Sequence, residues 1–229
     1  MAADLERFPR PGVTVDLALM TVLETDDGLE LRLLVQERHD PTGRALPGRF
    51  IRERQTVAET VDGVLRDKVG IQPGAVEPRL LRVFDDPDRD DRTWAISVAH
   101  SVSLPHPVLT GAVGHLVPVT QRGRLKGQGP LLFDHDEIVA AAISGLRERY
   151  EIRQRYVDAR PDPDGFLKPP YTLHQLRLLH EAVIGDELHK DNFARRMKPF
   201  LRPVMRRGQV VKSSDTVGRP ATLYRPIKG

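Results

Sequence analysis

Cysteine is absent from the 229-residue chain, which excludes a disulfide framework, a thiolate metal site and a thiol nucleophile. Runs of about 18 apolar residues are also missing, so no membrane-spanning helix is expected. The opening "MAADLERFPRPG" lacks the basic and then apolar stretches of a secretion signal, and a cytoplasmic protein is the expectation. Acidic residues are scarce in one region. From Pro170 to Gly229 there are 5 Asp+Glu against 12 Lys+Arg, a net +7, whereas Met1 to Pro169 carries 27 acidic and 23 basic residues, a net −4. A basic tail on an acidic body points to a polyanion partner for the tail, with a partnerless basic surface as the plain alternative. The apolar content of 39% is ordinary for a soluble protein, and the length suits two modest domains.

Along the chain, "VTVDLALMTVLE" (Val13–Glu24) and "LELRLLVQER" (Leu29–Arg38) are β-rich runs around the hairpin signal "TDDG". "HDPTGRALPG" (His39–Gly48) reads as a loop. Between Gln55 and Val69 the apolar positions Val57, Val61, Val64, Leu65 and Val69 share a helical face, stopped by Gly70. "RLLRVF" (Arg79–Phe84) and "TWAISVAHSVSL" (Thr93–Leu104) read as strands joined by an acidic turn. A helix then covers Phe133–Tyr156, with Ile138, Ala142, Leu146 and Tyr150 on one face. The order strand, strand, helix, strand, strand, helix predicts an α/β (α+β) fold, an α/β/α sandwich on a mixed sheet. Residues 157–169 break all periodicity through Pro161, Pro163 and Pro169, so they are read as a linker between a domain at 1–156 and another at 170–229.

The stretch "LPGRFIRERQTVAETVDGVLRDKVGI" (Leu46–Ile71) has the strand–loop–helix outline of diphosphate-cleaving enzymes. The first ~155 residues resemble a Nudix hydrolase fold, and the whole chain resembles the Nudix-related transcriptional regulators of bacterial NAD metabolism. The family box, GX5EX7REUXEEXGU, aligned on Gly70 and Ile71, sets its first Gly on Arg49 and its first Glu on Gln55. Its Arg-Glu pair falls on Gly63 and Val64, and its Glu-Glu pair on Asp67 and Lys68. Glutamates at those last three acidic positions would share one face of the helix and converge on Mg²⁺, which neutralises diphosphate charge and activates water. Here the face presents an isopropyl group, one carboxylate and one ammonium, which opposes metal binding. No catalytic residue, metal or cofactor is therefore expected, and the plain reading of the segment is an amphipathic core helix.

The resemblance implies an ADP-ribose-like effector. "DDPDRDDRTW" (Asp85–Trp94) resembles the corresponding loop of ADP-ribose-type members, and "FDH" (Phe133–His135) is also shared. The candidate effector-binding residues are Arg38, Arg49, Arg52, Asp67, Arg89 and Arg92; the resemblance implies Arg89 and Arg92, and the box-segment arginines Arg49 and Arg52 could pair with phosphate bidentately without needing a metal. Solvated surface arginines are the bland alternative.

The basic tail reads as a winged helix. Thr172 caps a first helix with the stripe Leu173, Leu176, Leu179 and Val183, closed by Gly185; a second runs from about Lys190 to Leu201 with Phe193, Met197 and Leu201 inward. Lys190, Asn192, Arg195, Arg196 and Lys198 then form an outer face able to read base edges and neutralise phosphates. "QVV" and "TLYR" are expected to pair as the wing, adding Arg206, Arg207, Lys212 and Arg219 as DNA-backbone contacts. A protein-binding helical hairpin is the rival, although lysine is depleted at such interfaces. The sequence thus predicts a regulator with three partners: a double-stranded operator, a nucleotide effector and, by resemblance, a second copy of itself in a homodimer. A Nudix hydrolase using Glu53 and Glu59 instead of the box glutamates stands as the alternative.

Overall fold

The computed structural model describes residues 7–127, 129–151, 160–213 and 220–227. Strand β1 (Gly12–Thr25) is apolar on both faces, and its alternating side chains enter two separate cores. Val15, Leu17 and Leu19 point one way, Ala18, Met20 and Val22 the other. That period of two makes β1 the centre of a sheet covered on both sides. β2 (Gly28–His39) returns antiparallel from the Thr25–Gly28 hairpin, as its turn residues predict.

β3 (Thr42–Ala45) pairs with the end of β2, so the segment read as a loop from His39 to Gly48 contains a strand. Nothing in Thr-Gly-Arg-Ala alternates in polarity; the tight turn at Asp40–Pro41 brings it beside β2. β4 (Gly48–Phe50) pairs with β1. Helix α1 (Val57–Val64) opens on Thr56, whose hydroxyl accepts from the Glu59 N–H while the Glu59 carboxylate accepts from the Thr56 N–H. It continues as a π-helical turn, Leu65–Val69, closed by Gly70 in the left-handed conformation (φ 83°). β5 (Arg79–Phe84) and β6 (Ala95–Ser103) follow, with β6 parallel to β1 and β5 at the edge, giving the order β3-β2-β1-β6-β5. A short helix α2 (His106–Leu109) precedes β7 (His115–Pro118), a further strand on β2 inside the Gly- and Pro-rich region.

Val61, Val64, Leu65 and Val69 cover one face of the sheet. Helix α3 (His135–Tyr150) covers the other with Ile138, Ala142, Leu146 and Tyr150, the four residues its periodicity predicts. The α/β/α sandwich on a mixed sheet is therefore observed. The predicted extension of this helix to Tyr156 falls largely outside the described residues.

β8 (Tyr171–Thr172) leads into α4 (Leu173–Ile184), capped reciprocally by Thr172 and Gln175 and stopped by left-handed Gly185. α5 spans Lys190–Met197, shorter than the predicted Lys190–Leu201, because Pro199 interrupts it and the chain passes through a 3₁₀ turn into β9 (Leu201–Pro203). The wing also differs from expectation. β10 (Met205–Arg206) and β11 (Gln209–Val210) form their own hairpin on a turn with positive φ at Arg207 and Gly208, and β12 (Leu223–Pro226) pairs with β8 and β9. The predicted pairing survives in part, through a bridge between Lys212 and Thr222 and the Leu223 N–H donating to Val211 O.

The sandwich and the C-terminal module share one core: Leu176, Leu179, Phe193 and Met197 join the cluster that contains Met20 and Leu146. Arg147 of α3 donates to the carbonyls of Val183, Thr120 and Gln121, binding the α4 C-terminus where cations are favoured. Of the stretch read as a linker, the Asp164 side chain is wholly buried and ion-paired to both Arg79 and Arg149, and Asp162 accepts from the Tyr150 hydroxyl at 2.8 Å.

Candidate functional site

The box helix carries little of its acidic chemistry. Val64, aligned on a box glutamate, is fully buried among Val15, Leu17 and Val61. Asp67 has a 54% exposed side chain and accepts from Arg49 Nη1 at 3.0 Å. Lys68 is half-buried, and burial lowers its pKa; the charges of Arg38 and Arg49 push the same way, against Asp16. Gln36 Nε2 fixes its backbone by donating to Lys68 O at 2.7 Å. The substitute carboxylates of the hydrolase alternative are placed elsewhere: Glu59 closes the α1 cap, which lowers its pKa, and Glu53 lies in the exposed loop beside Arg54. Among the described residues no group of three or more His, Asp or Glu side chains could hold a metal ion.

A different carboxylate organises the site. Asp16, in the middle of β1, is buried and accepts from Ser97 Oγ (2.6 Å) and Thr14 Oγ1 (3.0 Å), with His135 Nε2 at 3.5 Å and Arg89 Nη2 at 3.6 Å. Burial alone would raise its pKa; His135, the Ser97 hydroxyl and Arg89 outweigh that and lower it to about 2. The Leu46 N–H donates to His135 Nδ1 at 2.9 Å, so the ring turns its Nε2 proton toward Asp16. Asp16 is not among the residues expected from sequence; its one signal is a carboxylate amid eight apolar or hydroxyl residues, Val13 to Thr21.

The structure places the candidate effector residues unevenly. Arg38 and Arg92 converge on one ring, with guanidinium carbons 5.6 and 4.6 Å from the Phe133 centroid. Arg92 also holds Asp90 in a two-pronged pair at 2.7 and 2.8 Å. Arg89, only 2% exposed, gives Nε and Nη2 to Asp134 at 2.8 and 2.6 Å; it shapes the site from beneath rather than facing solvent. Arg49 and Asp67 form their own pair at the box helix, and Arg52 stands apart on the exposed loop. A cleft of about 480 Å³ lined by Pro41, Asp86, Arg89, Phe133 and Asp134 opens here. Another of about 640 Å³ lies along Arg92 and Trp94.

In the C-terminal module, Phe193 and Met197 are buried while Lys190, Asn192, Arg195, Arg196 and Lys198 are exposed, so α5 turns its basic, amide-bearing face outward. Arg195 Nη2 donates to Asn192 Oδ1 at 3.2 Å, joining the two base-reading candidates. Arg206, Arg207 and Lys212 are exposed on the wing side; Arg219 lies outside the described residues. Inside the module, His180 stacks edge-on against both Tyr150 of α3 and Phe193 of α5, at 5.0 Å each.

Residues 165–225 match the NrtR DNA-binding winged helix domain. That likeness extends beyond the tail. The chain is 28% identical over 95% of its length, and 83% of the relative's, to the ADPR responsive transcriptional repressor NtrR of Acinetobacter baylyi. NrtR of Shewanella oneidensis, in one crystal structure and in another complexed with a 27mer DNA, superposes on this chain with TM-scores of 0.66 and 0.67 at 26% and 25% identity. The superpositions cover 94% of this chain and 94% and 93% of that one. The chain is also 29% identical to the ADP-ribose pyrophosphatase of Methanocaldococcus jannaschii, over 59% of its own length and 77% of that enzyme.

Proposed function

We propose that this chain is an NrtR-like transcriptional repressor acting in the cytoplasm. Its winged helix binds operator DNA of NAD biosynthesis or salvage genes, and its Nudix-like sandwich senses an ADP-ribose-like nucleotide without hydrolysing it. The division follows the sequence: a sensor at 1–156, a connecting stretch at 157–169 and a DNA-binding domain at 170–229. A homodimer is part of the reading, and its symmetry calls for two half-sites one or two helical turns apart, ~34 Å per turn. The observation that carries the proposal is the exposed Lys190–Lys198 face of α5 within a stretch that matches a DNA-binding domain. Likeness to an ADPR responsive repressor and to a protein solved in complex with DNA supports both the ligand and the target.

Genomic footprinting with the purified chain, repeated with ADP-ribose, tests this. Protected near-palindromic sites whose occupancy changes with ADP-ribose are expected; absence of protection, or protection indifferent to the nucleotide, refutes it. A second reading, hydrolysis of ADP-ribose, is favoured by the likeness of the chain to an ADP-ribose pyrophosphatase. Steady release of AMP in the presence of Mg²⁺ would establish it.

A further inference from the structure

The box pattern asks for glycine at position 49 and arginine at position 63; this chain has Arg49 and Gly63. Both residue types of the pattern are present, in exchanged places. The structure explains why the exchange works in space. A Cβ built on Gly63 would fall inside the Arg49 guanidinium, with Nη1 only 2.6 Å away. Arg49 therefore occupies the volume through which a side chain from position 63 would leave the helix. Its backbone is fixed opposite Val15 in the β1–β4 pair, its side chain is 14% exposed, and Nη1 holds Asp67, the one carboxylate at a glutamate position of the box.

The surroundings add positive charge. Lys68 follows Asp67 directly and feels both Arg38 and Arg49. The buried Nε atoms of Arg38 and Arg49 have no hydrogen-bond partner among the described residues. Lys68 thus lies among the charges of Arg38, Arg49 and Asp16, Arg49 holds Asp67, and Asp16 is already engaged by Ser97, Thr14, His135 and Arg89. We propose that Arg49 and Gly63 are a compensating pair: the box guanidinium is delivered from β4 instead of α1, and with Lys68 it binds the diphosphate of the nucleotide without a metal ion. Arg49 replaces part of the charge that Mg²⁺ supplies in the family pattern, and it leaves Asp67 neutralised, a poor metal ligand. Gly63 is needed because any larger side chain expels the guanidinium. The proposal rests on the sensor reading above and gives it a charge mechanism.

The test is a mutant cycle in the full chain, read by calorimetric titration with ADP-ribose, in EDTA and in Mg²⁺, and by melting temperature. Wild type should bind equally in both buffers. Arg49→Gly and Gly63→Arg should each weaken binding about 10-fold or more, the range for a lost charge-assisted contact. Arg49→Gly/Gly63→Arg should return to within about 3-fold of wild type and melt higher than Gly63→Arg alone. Binding lost in EDTA and regained with Mg²⁺ would overturn the proposal, as would a double variant no better than the worse single one. A wild type that binds no ADP-ribose sinks the sensor reading itself. The exchange is then judged on melting alone: recovery in the double variant upholds the compensating geometry, and additive losses dismiss it.

Discussion

Replacing Asp16 with Asn tests whether this buried carboxylate organises the sensor site. The amide keeps the shape and one acceptor oxygen but removes the charge that Arg89 and the Nε2 proton of His135 face. In the folded chain the Asp16 pKa falls from an ordinary 3.8 to about 2, a shift that already includes the opposing cost of burial. At about 1.4 kcal/mol per unit, the ionised form stabilises the fold by about 2 kcal/mol. Because the pKa is depressed, that contribution is fully present above the unfolded value near 3.8 and fades as pH drops toward 2. Asp16→Asn should therefore cost about 2 kcal/mol at pH 7, or roughly 4–8 °C in melting temperature for a chain of this size. By pH 3 the gap should shrink to about half. Urea unfolding of both proteins at the two pH values measures it. A gap that stays constant with pH, or grows in acid, refutes the assignment of the charge to Asp16.

Three further outcomes are expected. Arg195→Ala and Arg196→Ala should each weaken operator binding by about 1–3 kcal/mol in a fluorescence anisotropy titration; unchanged affinity in both removes α5 from the interface. Phe133→Ala takes away the ring shared by Arg38 and Arg92 and should weaken ADP-ribose binding about 5-fold, the scale of one cation–π contact, while DNA affinity without nucleotide stays as it was. Asp164→Asn leaves Arg79 and Arg149 facing a neutral amide in a buried position and should destabilise the chain by about 2–3 kcal/mol by chemical unfolding, less than a fully buried pair because both arginines reach solvent; a loss under 0.5 kcal/mol (about the noise of a surface change) would mean the pairs are mere decoration.

Much of this architecture is legible in periodicity. The two faces of β1, the stripe of α3 and the Phe193–Met197 spacing of α5 each follow from apolar residues at two or three-to-four positions apart, and burial confirms them. What the sequence hides is pairing decided by distant residues. β3 and β7 are strands because β2 offers them an edge, not because Thr42–Ala45 or His115–Pro118 alternate in polarity. The Asp16 cluster draws on Ser97, Arg89 and His135, which lie 81, 73 and 119 residues away in sequence, so no local pattern announces it. The proline-rich stretch before the winged helix reads as a spacer, yet Asp162 and Asp164 tie it to α3 and β5, since a chain without regular hydrogen bonds can still be anchored by its side chains. The arginine in the wrong place in the box gains its meaning only when Gly63 is seen beneath it.

The sensor account meets its most direct test in a single titration: the full chain against a DNA fragment recovered by footprinting, with Mg²⁺ present, with and without ADP-ribose, while AMP is assayed in the same tube. The account predicts a change in DNA affinity of about 5-fold or more with the nucleotide left intact. DNA affinity indifferent to ADP-ribose, or AMP accumulating at a steady rate, would contradict it.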